Sequence, residues 1–211
     1  MDQVREKPWL AHYDPGVPPE IQVPDIPLWR FLEESARRFP QNVALEFLGK
    51  TLSYQELWGL ARRFAQGLKD LGVRPGDRVA IMLPNSPQFV IAFYGTLLAG
   101  GVGVNVNPLY TPRELRHQLA DAGAETLVIL DHLLPRYLEV EKEVPVKRVV
   151  VTGIKDFLPF PKNLLYPLKA KRDGLPLGFP KREGFHAFAE LLKRPPAAPP
   201  IPYTQDLALL Q

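Results

Sequence analysis

Short apolar strands alternate with helices through the middle of this chain, and that alternation constrains its fold more than any other feature. The strand-like segments are RVAIMLP, GVGVNV, TLVIL and VKRVVV. Helices are expected between them at Pro87–Ala99, from Thr111 to Gly123, and after Asp131, which suits a helix cap. Strands joined by helices form parallel sheets with right-handed crossovers. The sequence therefore predicts an α/β fold, with a largely parallel β-sheet flanked by helices on both faces.

Two capping boxes locate helix starts in this pattern. Ser53 and Glu56 form the first, ahead of an apolar stripe at helical spacing that ends at Gly72. Thr111 and Glu114 form the second. Both helices are predicted to be amphipathic and to cover the sheet.

Two further elements are predicted before the first box. VALEFLGKTLS is typical of a β-hairpin, with its turn at Gly49-Lys50. The segment PLWRFLEESARRFP predicts a helix that Pro40 ends. Its apolar face is expected to consist of Leu28, Phe31, Leu32, Ala36 and Phe39.

Residues 79–112 carry no charge and are long enough to be weighed as a membrane span. A helix start at Ser86-Pro87 and a helix stop at Gly100-Gly101 favour a buried helix followed by a buried strand instead. The expected core then comprises Leu57, Leu60, Phe64, Leu68, Ile81, Val90, Ile91, Phe93, Val104, Leu119, Val128 and Ile129.

Composition excludes several classes of protein. The chain has no cysteine, so disulfides, thiol nucleophiles and cysteine-based metal sites are excluded. Its formal net charge is only +3, which does not indicate nucleic-acid binding. The first twenty residues have no apolar core and do not form a secretory signal.

Polar side chains follow three of the predicted strands, at Asn85-Ser86, at 105–107 and at Asp131-His132. Ligands bind beyond the carboxyl ends of the strands in open parallel sheets. A structural role is the alternative at each position, because Ser86 and Asp131 suit helix caps and the asparagines suit turns.

Established catalytic patterns are missing from the sequence. Gly101-Val102-Gly103 begins like a dinucleotide fingerprint, but Val106 stands where the third glycine belongs. The four histidines lack metal-ligand spacing, and none of the three serines lies in a GxSxG elbow. We therefore assign no catalytic, cofactor-binding or metal residue within this chain.

The run TLSYQELWGLARRFAQGLKDLGVRPGDRVAIMLPNSPQFVIAFYGTLLAGGVGVNVNPLYTPRELRHQL resembles the amino-terminal region of AMP-forming acyl-CoA synthetases, within the adenylate-forming superfamily. LSYQEL is similar to the first core motif of that superfamily, and LLAGGVGVNVNPLYTPREL to the second. The segment DFLPFPKNLLYPL resembles bacterial long-chain fatty-acid–CoA ligases. The similarity extends from about Pro27 to Gln211.

This resemblance implies a parent enzyme that uses ATP, Mg2+ and CoA to convert a long-chain fatty acid to acyl-CoA through an acyl-adenylate. In the family, a segment like DLALLQ leads into a phosphate-binding loop, which would follow Gln211. We therefore expect the chain to be an amino-terminal fragment that is inactive by itself and binds no cofactor tightly. The alternative is a stand-alone, non-catalytic α/β binding or assembly module derived from the same family.

The alternation fails over residues 155–194, which carry nine Lys and Arg against four Asp and Glu. Because long-chain fatty acids partition into bilayers, this segment is predicted to touch a membrane surface in the parent enzyme. Leu168 is expected to enter the interface, and Lys155 to meet anionic headgroups. Its prolines argue against one long amphipathic helix. A surface loop packed on its own domain remains the alternative. The residues expected to face the membrane are Phe157, Phe160, Lys162, Leu164, Leu165, Tyr166, Lys169, Lys171 and Arg172.

Four parts are expected along the chain: a surface segment at 1–26, an α/β subdomain at 27–154, the basic insert at 155–194, and at 195–211 a linker with the first strand of a next unit. Since no partner strand follows DLALLQ in this sequence, residues 203–211 are expected to be disordered or to pair with another copy, giving a homo-oligomer. The expected location is cytoplasmic, with peripheral contact at the inner face of the membrane.

Overall fold

The computed structural model describes residues 7–200 and 207–211, and within them a six-stranded parallel sheet carries the fold. The helices are α1 (Leu28–Arg38), α2 (Tyr54–Asp70), α3 (Pro87–Ala99), α4 (Pro112–Ala122), α5 (Leu134–Val140), α6 (Lys162–Arg172) and α7 (Phe188–Leu191). The strands are β1 (Val43–Phe47), β2 (Lys50–Ser53), β3 (Arg78–Met82), β4 (Val102–Asn105), β5 (Thr126–Leu130), β6 (Arg148–Thr152), β7 (Phe185–Ala187) and β8 (Leu209–Leu210).

The sheet order is β7-β6-β5-β3-β4-β8, and every neighbouring pair is parallel. Helices α1, α2 and α3 contact one another, α7 contacts α2, and α4 contacts α5. Right-handed crossovers place α3 and α4 on opposite faces, because the chain moves in opposite directions across the sheet after β3 and β4. The predicted α/β architecture is confirmed.

The core forms mainly where the sequence predicts it. Both capping boxes are present: the Ser53 hydroxyl accepts from the Glu56 N–H, and Thr111 with Glu114 repeats the arrangement. Nine of the twelve expected core side chains are buried, and Leu60, Val90 and Phe93 are partly buried against them. No helix among the described residues is long and apolar enough to cross a bilayer.

The predicted face of α1 is wrong. Trp29, Leu32 and Ala36 are buried, whereas Leu28, Phe31 and Phe39 are exposed. Leu32 and Ala36 belong to both the predicted and the observed face, so their spacing does not show which neighbouring side chains are buried. The packing of α1 against α2 and α3 buries Trp29.

The hairpin is present, but its turn lies one residue earlier than predicted. Phe47 pairs with Lys50, so Leu48 and Gly49 form the turn, and both have positive φ values. A two-residue loop with two positive φ values matches the right-handed twist of the strands.

The prediction that the insert is irregular is wrong at its carboxyl-terminal end. β7 pairs in parallel with β6, and the Phe188 ring of α7 lies tilted against the Phe64 ring of α2, with ring centroids 4.6 Å apart. A three-residue strand is too short for a periodic pattern to reveal. Earlier in the insert, α6 is a single eleven-residue helix that includes Pro167.

The expectation for the tail is also wrong where the structure describes it. Gly103 and Val104 of β4 pair with Leu209 and Leu210, so β8 is an ordered strand at the edge of the chain's own sheet. Tyr203 and the neighbouring residues up to 206 lie outside the described residues. The division of the chain into four parts stays a prediction.

Candidate functional site

Two surfaces are candidates for function, and the first is the carboxyl edge of the sheet. β3 and β5 are neighbours, and the segments that follow them leave toward opposite faces. This reversal of strand order is where open α/β sheets form a crevice. Ser86, Gln88, Asp131 and His132 all lie there, at the ends of β3 and β5 or in the first turn of α3.

Ser86 has the structural role that the sequence left as an alternative. It is buried, and its hydroxyl accepts a hydrogen bond from the Phe89 N–H at 3.4 Å, which caps α3. Asn85 beside it is exposed. Ser86 therefore stabilises the start of α3.

Asp131 does not cap a helix, which corrects the sequence interpretation. Asp131 is 4% exposed, and it is the first residue of a 3-10 turn whose cap position is Leu130. Instead Oδ1 accepts from the His132 N–H at 2.8 Å, and Oδ2 accepts from the Gly178 N–H at 3.4 Å. Asp131 therefore ties the insert to the end of β5.

Gln88 is a residue that sequence reasoning missed. Its side chain is fully buried, and Nε2 donates to the Gly153 carbonyl oxygen at 3.0 Å, while Oε1 has no partner among the described residues. Nδ1 of His132 likewise makes no hydrogen bond among the described residues, and Oδ1 of Asp131 lies 3.6 Å from it. The available signal was a glutamine in the first turn of an otherwise apolar helix. A buried polar atom without a partner lowers stability, so each of these two atoms is a candidate for a hydrogen bond from outside the described part of the chain.

The start of the insert is held by a third set of contacts at this edge. Oδ2 of Asp156 accepts from the Gly153 N–H at 2.9 Å and from the Thr152 hydroxyl at 3.0 Å. A Cβ on Gly153 would lie 3.0 Å from Oδ2 of Asp131, so glycine fits closely there. Most polar groups at this crevice thus position the insert over the sheet.

The other end of the same edge, beside β4 and β8, is less filled. Oδ1 of Asn107 accepts from the Leu109 N–H, the turn role that the sequence left open. Nε2 of Gln118 donates to the Asn105 carbonyl oxygen at 2.8 Å, while Oδ1 of Asn105 and Oε1 of Gln118 have no partner within the described part of the chain. A cavity of about 250 Å³ separates Gln118 from Gln211. Polar atoms therefore stand unsatisfied next to the end of β8.

The second candidate is the outer face of α6, called here the α6 surface and defined by Phe160, Lys162, Leu164, Leu165, Leu168, Lys169, Lys171 and Arg172. All of these residues are exposed, and Phe160 is 78% exposed. The basic side chains of Lys169, Lys171 and Arg172 lie in the last turn of the helix. The surface thus combines an exposed apolar strip with positive charge.

Two residues that the sequence assigned to this surface do not share its exposure. Phe157 is 6% exposed and packs in the core, with Nζ of Lys50 5.7 Å from its ring centroid, so it cannot face a membrane. Tyr166 is half-buried on the inner side of α6. Burial raises the pKa of Tyr166, and the carboxylates of Asp131 and Asp173 raise it further.

Within residues 7–200 and 207–211, no group of three or more His, Asp or Glu side chains is placed to hold a metal ion. The histidines sit on separate elements, with His117 on α4 and His186 on β7. Burial lowers the pKa of His186, and the nearby Arg148 guanidinium lowers it further.

Comparisons with known proteins agree on one family. The sequence pattern of the AMP-binding enzymes matches residues 32–211. The chain is 41% identical over 210 residues to a long-chain-fatty-acid–CoA ligase of Bacillus subtilis, covering 98% of this chain and 37% of that protein. It is also 41% identical over 163 residues to the Yersinia pestis long-chain-fatty-acid–CoA ligase, covering 76% of this chain and 29% of that one.

Solved structures show the same fold. The crystal structure of a long-chain-fatty-acid–CoA ligase from Archaeoglobus fulgidus matches with a TM-score of 0.69 at 22% identity, covering 90% of this chain and 35% of that one. The present chain thus spans roughly a third of the length of each of these relatives.

Proposed function

The chain belongs to the AMP-binding enzyme family, and from that premise we propose that it forms part of a long-chain-fatty-acid–CoA ligase. In this reaction a fatty-acid carboxylate attacks the α-phosphate of ATP, giving acyl-adenylate and pyrophosphate. The thiol of coenzyme A then attacks the acyl carbon, and AMP leaves. Mg2+ bound with ATP supplies charge neutralisation at the phosphates.

The observation that carries this proposal is the 41% identity to the Bacillus ligase across 210 residues. The chain's own residues supply position rather than chemistry. β4 and β8 hold the edge of the sheet beside Asn105 and Gln118, and the insert covers the crevice between β3 and β5. A rigid scaffold of this kind fixes the geometry in which reacting groups meet.

A chimera tests this proposal. The aligned segment of the Bacillus subtilis ligase is replaced by this chain, and oleoyl-CoA formation is measured with ATP, Mg2+ and CoA. We expect activity that depends on the long-chain acid. The 211-residue chain alone is the control, and we expect it to show no ATP–pyrophosphate exchange, since no phosphate-binding motif was found in it.

A folded chimera without activity toward oleate would contradict the proposal and favour the second class, a non-catalytic binding or assembly module. Circular dichroism and a cooperative melt establish that the chimera is folded. Pyrophosphate exchange by the chain alone would contradict the proposal that these residues serve as a scaffold.

We further propose that the α6 surface rests on an anionic membrane, from which the enzyme collects its fatty acid. Leu164, Leu165 and Leu168 lie exposed on α6, where they could enter the interface. The cationic groups of Lys169, Lys171 and Arg172 stand beside them, where they can meet lipid phosphates. The exposed apolar strip supports this contact over the alternative of a loop packed on its own domain.

Vesicle co-sedimentation tests the membrane contact. Changing Lys169, Lys171 and Arg172 together to Glu should weaken binding to phosphatidylglycerol-containing vesicles by on the order of a hundredfold or more, because each basic residue near an anionic surface contributes about 1 kcal/mol. Binding by the unchanged protein should fall as salt rises.

A control variant with the same change in net charge distinguishes binding through the α6 surface from binding that depends on net charge alone. Arg37, Arg113 and Lys142 are exposed and lie outside α6, and changing all three to Glu alters the net charge by the same amount. This variant should keep most of the vesicle binding. Equal losses in both triple variants, or no binding at low salt, would contradict the proposal.

A further inference from the structure

The tip of the β1–β2 hairpin contains an unusual residue for its backbone. Leu48 and Gly49 form the two-residue turn, with φ values of 52° and 93°. Leu48 is the only residue other than glycine with a positive φ among those that the structure describes. Two-residue turns of this kind strongly favour Asn-Gly, because the left-handed conformation costs less free energy for asparagine than for leucine.

Packing within the chain does not explain the leucine. Leu48 is 56% exposed and is not part of the hydrophobic core. The left-handed backbone is unfavourable for leucine, and the largely exposed side chain gains little from burial to offset that cost. Such local conflicts are expected where a residue serves function.

The position of the turn connects it to the α6 surface. Nζ of Lys162, in the first turn of α6, donates to the Leu48 carbonyl oxygen at 2.9 Å. A Cβ built on Gly49 would lie 3.6 Å from the same Nζ and 4.0 Å from Cγ of Pro159. The hairpin tip therefore sits against Lys162 and Pro159, the residue before the exposed Phe160.

We propose that Leu48 is a membrane-inserting residue, and that the hairpin tip and the α6 surface form one lipid-binding face. This inference rests on the membrane contact proposed above and adds a second element to it. The occupant is an anionic bilayer, because the exposed apolar groups are bordered by Lys162, Lys169, Lys171 and Arg172. Lipid contact would remove from water the apolar surface that the fold leaves exposed.

The substitution Leu48→Asn separates lipid binding from folding. It creates the favoured Asn-Gly turn, so the melting temperature should stay the same or rise. Binding of the full 211-residue chain to phosphatidylglycerol–phosphatidylcholine vesicles should weaken about fivefold, since a partly exposed leucine would be only partly transferred into the bilayer. Leu109→Asn is the matched control: Leu109 is 80% exposed and lies before α4, and its substitution should leave vesicle binding unchanged.

A fluorescent variant locates the contact directly. The emission of Leu48→Trp, after subtraction of the unchanged protein, should shift to shorter wavelength when vesicles are added. Leu109→Trp should show no such shift, because that position lies outside the proposed face.

The possible outcomes distinguish this inference from the proposal beneath it. If the unchanged protein binds vesicles and the triple Glu variant of α6 does not, but Leu48→Asn binds normally and Leu48→Trp shows no shift, α6 acts alone and the inference is wrong. If the unchanged protein does not bind vesicles, both ideas fail. A lower melting temperature for Leu48→Asn would show that Leu48 serves the fold, and would also overturn the inference.

Discussion

His186 gives the chain a pH-dependent contribution to stability at the scale of one residue. It lies half-buried in β7, where burial lowers its pKa and the Arg148 guanidinium lowers it further. The folded chain therefore favours the neutral imidazole. As pH falls through about 6.5, the usual histidine value, the unfolded chain takes up this proton more readily than the folded chain, and the free energy of unfolding decreases.

We expect His186→Gln to reduce this loss of stability. Urea unfolding midpoints measured between neutral and mildly acidic pH should fall less steeply for the variant than for the unchanged protein. The exposed His117, changed to Gln, serves as the control and should retain the unchanged profile. Identical slopes for the His186 variant and the unchanged protein would rule out this contribution.

At the scale of elements, the close approach of α7 to α2 depends on Gly67. A Cβ at this position would lie 2.5 Å from both Cβ and Cγ of Leu191 and 2.9 Å from its Cα. The side of α2 that faces α7 therefore has no room for a methyl group. This contact also brings Phe188 onto Phe64 and holds the short α7 beside β7.

Gly67→Ala should lower the free energy of unfolding by roughly 1–3 kcal/mol, because overpacking outweighs the gain in helix propensity. Gly59 on the same helix offers a matched control, since a Cβ there would meet nothing within 4 Å. Gly59→Ala should raise stability by up to about 1 kcal/mol. Urea unfolding measures both, and equal gains in the two variants would contradict the close contact.

At the scale of the whole molecule, the two candidate surfaces lie in different parts of the sheet order. One edge, at β8, carries side-chain oxygens of Asn105 and Gln118 that have no partner among the described residues, whereas α6 lies in the connection that follows β6, on the other side of the sheet order. We expect the chain alone to be inactive, because it supplies a scaffold at one edge of the sheet and its sequence contains no phosphate-binding motif. Assembly into a homo-oligomer stays a prediction.

Local sequence signals predicted the parts of the fold that depend on local chemistry. The capping boxes at Ser53 and Thr111, and the helix Pro87–Ala99, need only neighbouring residues to form. The parallel sheet followed from the order of strands and helices, because that order restricts the possible crossovers. The family was evident from motifs in the same region.

Tertiary structure alone decided the features that depend on distant residues. It selected Trp29 rather than Phe31 for the core and buried Phe157, because apolar spacing does not reveal which neighbours a helix meets. It also directed Asp131 away from a helix cap toward Gly178, forty-seven residues later in the chain. The same holds for the proposed lipid-binding face: the sequence indicated the basic and apolar residues of α6, but only folding brought the Leu48 carbonyl oxygen of a distant hairpin to Lys162.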